Sequence, residues 1–126
     1  MRFMMIYTSP NADHADPPTE EEMEQMGRYI EEVAASGALL MTDGLMPSSS
    51  GARVRQEAGN VTVKDGPFTE TKELVAGFAI FNLASKDEAI RHAREFLARA
   101  GDGQVEIRQM YDEPAFVAPS LAGVSG

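Results

Sequence analysis

The feature that most constrains the fold is a stretch from Leu74 to Leu83 that is apolar on both of its alternating faces. Successive side chains of a β-strand point to opposite faces of its sheet. One face carries Leu74, Ala76, Phe78 and Ile80, and the other carries Val75, Gly77, Ala79, Phe81 and Leu83. Helices on one side of a sheet would cover only one of these faces. The stretch is therefore predicted to be a central strand that is covered on both sides.

Two segments of helical periodicity alternate with the predicted strands. The first helix is predicted to begin at the N-cap Thr19, where Glu22 completes a capping box, and the second at Ser85, with Glu88 in the same role. Strands are predicted at residues 3–8, 38–42, 53–57, 61–64, 74–83 and 104–110. Two strand–helix–strand units with a hairpin between them predict an α+β fold, a ferredoxin-like protomer with both helices on one sheet face.

Length and composition fit a single domain. The chain has 126 residues, of which 43% are hydrophobic and 25% charged, as in ordinary globular proteins. We expect residues 1–113 to form this domain and residues 114–126 to form a C-terminal tail. The absence of cysteine excludes a disulfide scaffold and a cysteine nucleophile, and it fits the cytoplasmic location that we expect.

The charge and hydropathy patterns exclude two classes of partner. The net charge is −9, and the 11 basic residues are scattered among 20 acidic ones, so no basic surface for nucleic acid is expected. No apolar run approaches the ~20 residues that a membrane-spanning helix needs. The partners that we expect are a second copy of the chain and a small-molecule ligand.

The second apolar face of Leu74–Leu83 predicts a homodimer. A second copy packed sheet to sheet would cover that face, because monomers rarely expose large apolar patches. We expect Val75, Phe81 or their strand neighbours to contribute to the interface. The alternative is a monomer whose C-terminal tail folds over the open face.

The run from Asp65 to Glu73, followed by Leu74-Val75-Ala76-Gly77-Phe78, resembles the signature of the YCII-related family in its DGPF-domain branch. The resemblance implies a dimeric α+β barrel of ferredoxin-like protomers and a regulatory association. Some wider relatives carry a His–Asp pair in the cleft, with the histidine on the first helix. Here that helix has no histidine; the two histidines are His14, in the first loop, and His92, which is expected to be exposed on the second helix.

Six residues are candidates for binding a ligand. Two end the strands that flank the first helix, and four belong to the segment that enters the central strand: Tyr7, Asp43, Asp65, Phe68, Lys72 and Glu73. We expect the first four to line one pocket, with Lys72 or Glu73 near its rim. The expected ligand is an uncharged or anionic small molecule, held by the Tyr7 hydroxyl and, where it is anionic, by Lys72. Each of the six residues also has a structural interpretation. Asp65 would accept backbone hydrogen bonds in a turn, Phe68 would fill the core, and the other polar groups would end strands or face solvent.

Three functions stay open at this point: a small-molecule binding protein of regulatory type, a cofactor-independent isomerase or lyase acting on a small organic substrate, and a protein-interaction module. The sequence has neither a glycine-rich phosphate loop nor a nucleophile elbow, and we expect no cofactor. Asp13, His14 and Asp16 match no defined metal-binding spacing, and we expect no metal.

Overall fold

A computed structural model describes residues 1–14 and 16–112 of the chain. The predicted C-terminal tail, residues 114–126, lies outside them. The elements are, in chain order, β1 (Arg2–Ser9), α1 (Glu20–Ala35), β2 (Leu39–Gly44), β3 (Ala52–Glu57), β4 (Asn60–Asp65), β5 (Leu74–Asn82), α2 (Lys86–Ala100) and β6 (Gln104–Gln109). Neither helix in this part of the chain has the length and hydropathy needed to cross a membrane.

Four strands form one sheet in the order β2-β5-β1-β6, and every neighbouring pair is antiparallel. This is the interleaved order of two strand–helix–strand units, so the ferredoxin-like α+β fold predicted from the sequence is confirmed. The strongly apolar strand β5 lies inside the sheet, between β2 and β1.

The helix limits follow from local capping. Thr19 accepts a hydrogen bond from the backbone N–H of Glu22, whose side chain completes the capping box. Ser85 caps α2 in the same way, but the Glu88 carboxylate accepts from the backbone N–H of Ala84 instead of Ser85. Gly37 has a φ of 82°, a left-handed conformation that suits glycine after a helix. The predicted helices are therefore confirmed.

The hydrophobic core lies between the two helices and one sheet face. From the sheet it contains Phe3, Met5 and Phe81, from the residue after β5 Leu83, and from the helices Tyr29, Val33, Ala89 and Ala93. Phe81 is only 5% exposed. Naming Phe81 as a dimer-interface residue was therefore wrong: of the two apolar faces of β5, the helices cover the one that carries Phe81.

A β-bulge changes which β5 side chains share a face. Tyr7 pairs with Gly77, but the next residue, Thr8, pairs with Val75, which leaves Ala76 as the extra residue. Val75 therefore lies on the face that points away from the helices, hereafter the open face. Met4, Ile6 and Ile80 also lie on this face.

The predicted hairpin is confirmed as a separate two-stranded sheet of β3 and β4, hereafter the arm. Its turn contains Ala58 and Gly59, with φ values of 50° and 83°. Positive φ at both central residues gives a turn whose twist matches that of the strands. All twelve strand residues of the arm are exposed.

Candidate functional site

A cavity of about 430 Å³ lies between the sheet and the helices. Most of its lining is apolar and comes from both helices and all four strands of the main sheet. The principal apolar residues are Met5, Met26, Ile30, Val33, Ala79 and Phe96. Ligand pockets commonly measure about 300–1,000 Å³ and are mostly apolar with a few polar groups, so this cavity has the size and character of a small-molecule site.

Tyr7 is one polar group of this cavity, and its position is fixed from three sides. Its ring meets the Phe96 ring edge to face, with 5.0 Å between the centroids. Its hydroxyl donates a hydrogen bond to the carbonyl of Asp102 at 3.2 Å. At Gly103, a Cβ atom would lie 2.5 Å from Cε1 of Tyr7, so glycine leaves room for the ring.

His92 is a second polar group, and expecting it to be exposed was wrong. Its side chain is 8% exposed, and its ring lies 5.1 Å from the Phe81 ring, between centroids. The Nδ1 atom is buried, and no described residue forms a hydrogen bond with it. The nearby Arg91 and Arg94 suggested that the His92 side chain faces solvent. Its helical spacing to Ala89 and Phe96 instead places it on the apolar stripe of α2.

Burial favours the uncharged forms of the His92 imidazole and the Tyr29 hydroxyl. Desolvation lowers the pKa of the His92 imidazole and raises the pKa of the Tyr29 hydroxyl. The Tyr29 hydroxyl donates to the backbone carbonyl of His92 at 3.3 Å. Both side chains line the cavity, so its inner wall offers uncharged polar atoms at neutral pH.

The charged groups of the cavity are few. Asp43 lies on β2, at an exposed position, and its carboxylate accepts a hydrogen bond from the N–H of Gly44. Among the described residues, neither lysine nor arginine lines the cavity. Within that same part of the chain, no carboxylate accepts a hydrogen bond from the His92 ring. The arrangement therefore offers binding groups without a hydrogen-bonded acid–base pair.

A second, smaller cavity of about 70 Å³ lies beside the loop that enters β5. Phe68 and Lys72 line it, together with Asp13 and His14 of the first loop. Asp65 and Glu73 line neither cavity. The expectation of a single pocket was therefore wrong, since the residues are divided between two cavities. Tyr7 lies beneath the helices, whereas the loop that carries Lys72 lies beside the first loop, which follows Ser9.

The carboxylate that organises this loop is Asp13. It accepts hydrogen bonds from the backbone N–H of Ser48, at 2.7 Å, and from the Ser48 hydroxyl. The Ser48 oxygen in turn accepts from the N–H of Phe68 at 2.9 Å. The two bonds from Ser48 hold the pKa of Asp13 below its ordinary value.

The turn role expected of Asp65 is therefore corrected. Asp65 is exposed, and among the described residues its carboxylate accepts no hydrogen bond. Phe68, in contrast, is buried as a core-filling aromatic should be, and the Arg53 guanidinium lies 3.9 Å from its ring centroid. No set of three or more His, Asp or Glu side chains in the described ranges is arranged to hold a metal ion.

The buried His92 predicts a pH-dependent stability. Burial lowers the pKa of the His92 imidazole below the 6.5 of an unfolded histidine. Just below pH 6.5 the imidazole is therefore protonated more readily in the unfolded chain than in the folded protein. The free energy of unfolding should therefore be highest above pH 6.5 and fall with pH, by at most about 1.4 kcal/mol per pH unit.

Denaturant titrations from pH 7.5 to 5 should show that this slope is lost in His92→Phe. The control His14→Gln, at an exposed position, should keep it; parallel profiles for wild type and His92→Phe would contradict the prediction.

The comparisons with known proteins agree with this fold. The model of the YCII-related domain family matches residues 1–113. The chain is also 36% identical over 110 residues to the uncharacterized protein R00369 of Rhizobium meliloti strain 1021, a match that covers 85% of this chain and 89% of that protein. Both matches extend over nearly the whole of the described domain. The chain therefore belongs to the YCII-related family.

Proposed function

We propose that the larger cavity binds an uncharged, mainly apolar small molecule. The observation that carries this proposal is the composition of the wall: about 430 Å³ bounded mostly by apolar side chains, without a basic residue in the described part of the chain. A bound anion would lose its hydration and gain no counter-ion there, which is costly. The anionic ligand considered for Lys72 is not favoured here, since Lys72 lines the other cavity.

The polar atoms of the wall suggest what such a molecule carries. Tyr7 and Tyr29 each donate their hydroxyl proton to a backbone carbonyl, so both oxygens keep lone pairs that can accept. His92 belongs to the same wall, and its Nδ1 has no hydrogen-bond partner among residues 1–14 and 16–112. We infer that a ligand with one or two hydroxyl or N–H donors on an apolar frame fits best. Exposed residues of the lining, among them Thr42 and Asp43, lie on the edge strand β2, which favours access from that edge.

Reversible binding is better supported than catalysis. General acid–base chemistry commonly uses an imidazole whose proton is controlled by a hydrogen-bonded partner. Among the described hydrogen bonds, none joins His92 to a carboxylate, and the first helix lacks the histidine of the enzyme-like relatives. These observations favour reversible binding over turnover.

Filling the cavity tests the proposal. Ala79 lines it from β5, where it pairs with Met5 and Thr42. Leucine at this position should occupy part of the volume, so that Ala79→Leu lowers the affinity for Nile red, an uncharged apolar fluorophore, at least tenfold. The same change should raise the free energy of unfolding by about 0.5–2 kcal/mol, as cavity-filling substitutions do.

The matched control is Ala52→Leu, which adds the same side chain at an exposed position on the arm. It should leave dye binding and stability near the wild-type values. Dye titrations followed by fluorescence and denaturant titrations provide the two readouts. Unchanged dye affinity in a folded Ala79→Leu protein would contradict binding in this cavity.

We further infer that two copies pair through their open faces as a dimeric α+β barrel. Met4, Ile6, Val75 and Ile80 give this face an apolar surface on the side away from the helices, and Val75 is 42% exposed. A second sheet packed face to face would bury such a surface.

The run Asp65-Gly66-Pro67-Phe68 supports membership of the DGPF branch. Within this run Phe68 is buried and its N–H donates to Ser48. Gly66 packs against the Ser48 backbone. Residues with such specific contacts are consistent with a family signature that is maintained for structural reasons.

A further inference from the structure

The second cavity differs from the larger one in the chemistry of its wall. It measures about 70 Å³ and lies between the loop that follows β1 and the loop that enters β5. Its polar lining residues are Ser9, Asp13, His14, Thr69, Thr71 and Lys72. A water molecule needs about 10–15 Å³ of such space, so this cavity has room for a group of a few heavy atoms. These residues are distinct from those that line the larger cavity.

Ser9 contributes a buried hydroxyl to this wall. The residue is only 9% exposed, and its oxygen accepts a hydrogen bond from the backbone N–H of Asn11 at 3.2 Å. In the described part of the domain, the Ser9 hydroxyl proton has no acceptor. A buried donor without an acceptor is costly, so this hydroxyl is suited to donate to a bound molecule.

Thr71 offers a second hydroxyl donor from the opposite loop. Its oxygen accepts a hydrogen bond from the Arg53 guanidinium at 3.1 Å, which leaves its own proton available for another acceptor. The same guanidinium lies over the Phe68 ring, 3.9 Å from the centroid. The positive charge of Arg53 therefore lies one hydrogen bond behind the cavity wall, where it polarises the Thr71 hydroxyl.

Lys72 supplies a positive charge at the cavity itself. Its side chain is exposed, and none of the described ion pairs involves it. In contrast, Arg53 and Lys64 both form ion pairs with Glu70, so the Glu70 charge is already matched on the side of the arm. The flexible four-carbon stem of a lysine lets its ammonium turn toward a ligand in the cavity.

Asp13 is the single carboxylate among the described lining residues, and its oxygens are already engaged. The N–H of Ser48 donates to Oδ1 and the Ser48 hydroxyl donates to Oδ2. Since Ser48 also accepts from the N–H of Phe68, these bonds clamp the two loops that form the cavity. The negative charge of Asp13 disfavours a dianion in the cavity, whereas a monoanion is matched by the single charge of Lys72.

We propose that the second cavity binds the carboxylate group of a small organic acid. The Lys72 ammonium provides the counter-charge, and the Ser9 and Thr71 hydroxyls donate to the carboxylate oxygens. Hydrogen bonds to a charged acceptor are stronger than those between neutral groups, so these donors favour a carboxylate over an uncharged molecule of the same shape. This site is independent of the apolar-ligand cavity, and either proposal stands if the other fails.

Acetate and acetamide test the site, because they have nearly the same shape and differ in charge. Sodium acetate is titrated into the ¹⁵N-labelled protein at constant ionic strength, and the amide resonances are recorded. Saturable shifts confined to residues 9–14 and 68–72 are the expected result, and acetamide at the same concentrations should cause none. Acetate shifts that do not saturate, or equal shifts with acetamide, would overturn the proposal.

Three variants assign the binding to these donors. Lys72→Gln should raise the acetate dissociation constant about tenfold or more, and Ser9→Ala about fivefold or more, because each removes a hydrogen bond to a charged group. Lys86→Gln makes the same change at an exposed lysine that begins α2, and it should leave the affinity unchanged. The amide spectrum away from the two loops verifies that each variant is folded. Wild-type acetate affinity in Lys72→Gln or in Ser9→Ala would contradict the site.

Discussion

Replacing Phe81 by alanine should lower the free energy of unfolding by about 3–5 kcal/mol. The ring is 5% exposed and packs among Phe3, Leu83 and the imidazole of His92. Truncation removes its buried apolar area and leaves a void that the paired strands β1 and β5 can close only in part. Chemical denaturation at neutral pH and low protein concentration measures this loss for the protomer.

The neighbouring residue provides the matched control, because Ile80 lies on the open face. Under the proposed pairing of open faces, Ile80→Lys should raise the dimer dissociation constant more than tenfold. The unfolding of the dilute protein should change far less than in Phe81→Ala. If Phe81→Ala instead left the protomer stable and only dissociated a dimer, Phe81 would be an interface residue and the assignment of the core face would be wrong.

The contrast between these neighbours marks what the sequence could and could not predict. Capping residues at Thr19 and Ser85 and the turn at Ala58-Gly59 are local signals, and they located both helices and the arm correctly. The local sequence of β5 does not determine which of its faces the helices cover. Both faces are apolar, so only the packing of the helices decides. The bulge at Ala76 is equally invisible in an alternating pattern.

The candidate site shows the same division. Tyr7 and Asp43 could be predicted because the ends of strands that flank a helix lie near the space beneath it, and both line the larger cavity. His92 was missed, although its spacing to Ala89 and Phe96 is a helical one that could have identified it. The bond between Asp13 and Ser48 could not have been found, since it joins two loops whose contact only the tertiary fold creates.

Gly66→Ala is expected to destabilise the protein by about 1–3 kcal/mol or more. A Cβ atom at Gly66 would lie 1.7 Å from the Ser48 carbonyl oxygen and 2.6 Å from the carbonyl carbon. These are backbone atoms, so no side-chain rotation relieves the overlap. Ser48 is also bonded to Asp13 and Phe68, and moving it would break or lengthen those hydrogen bonds. The strain should therefore spread to all three loops.

Gly27→Ala is the matched control, because it makes the same chemical change inside α1, where a Cβ would meet nothing within 4 Å. It should stabilise the protein by up to about 1 kcal/mol, since alanine favours a helix more than glycine does. Denaturant titration of both variants should thus give changes of opposite sign. Hydrogen exchange at the Phe68 amide should accelerate in Gly66→Ala alone, while Nile red binding persists, because Gly66 does not line the larger cavity. A Gly66→Ala protein as stable as the wild type would show that Ser48 can move freely and that the Asp13–Ser48–Phe68 bonds do not hold the loops together.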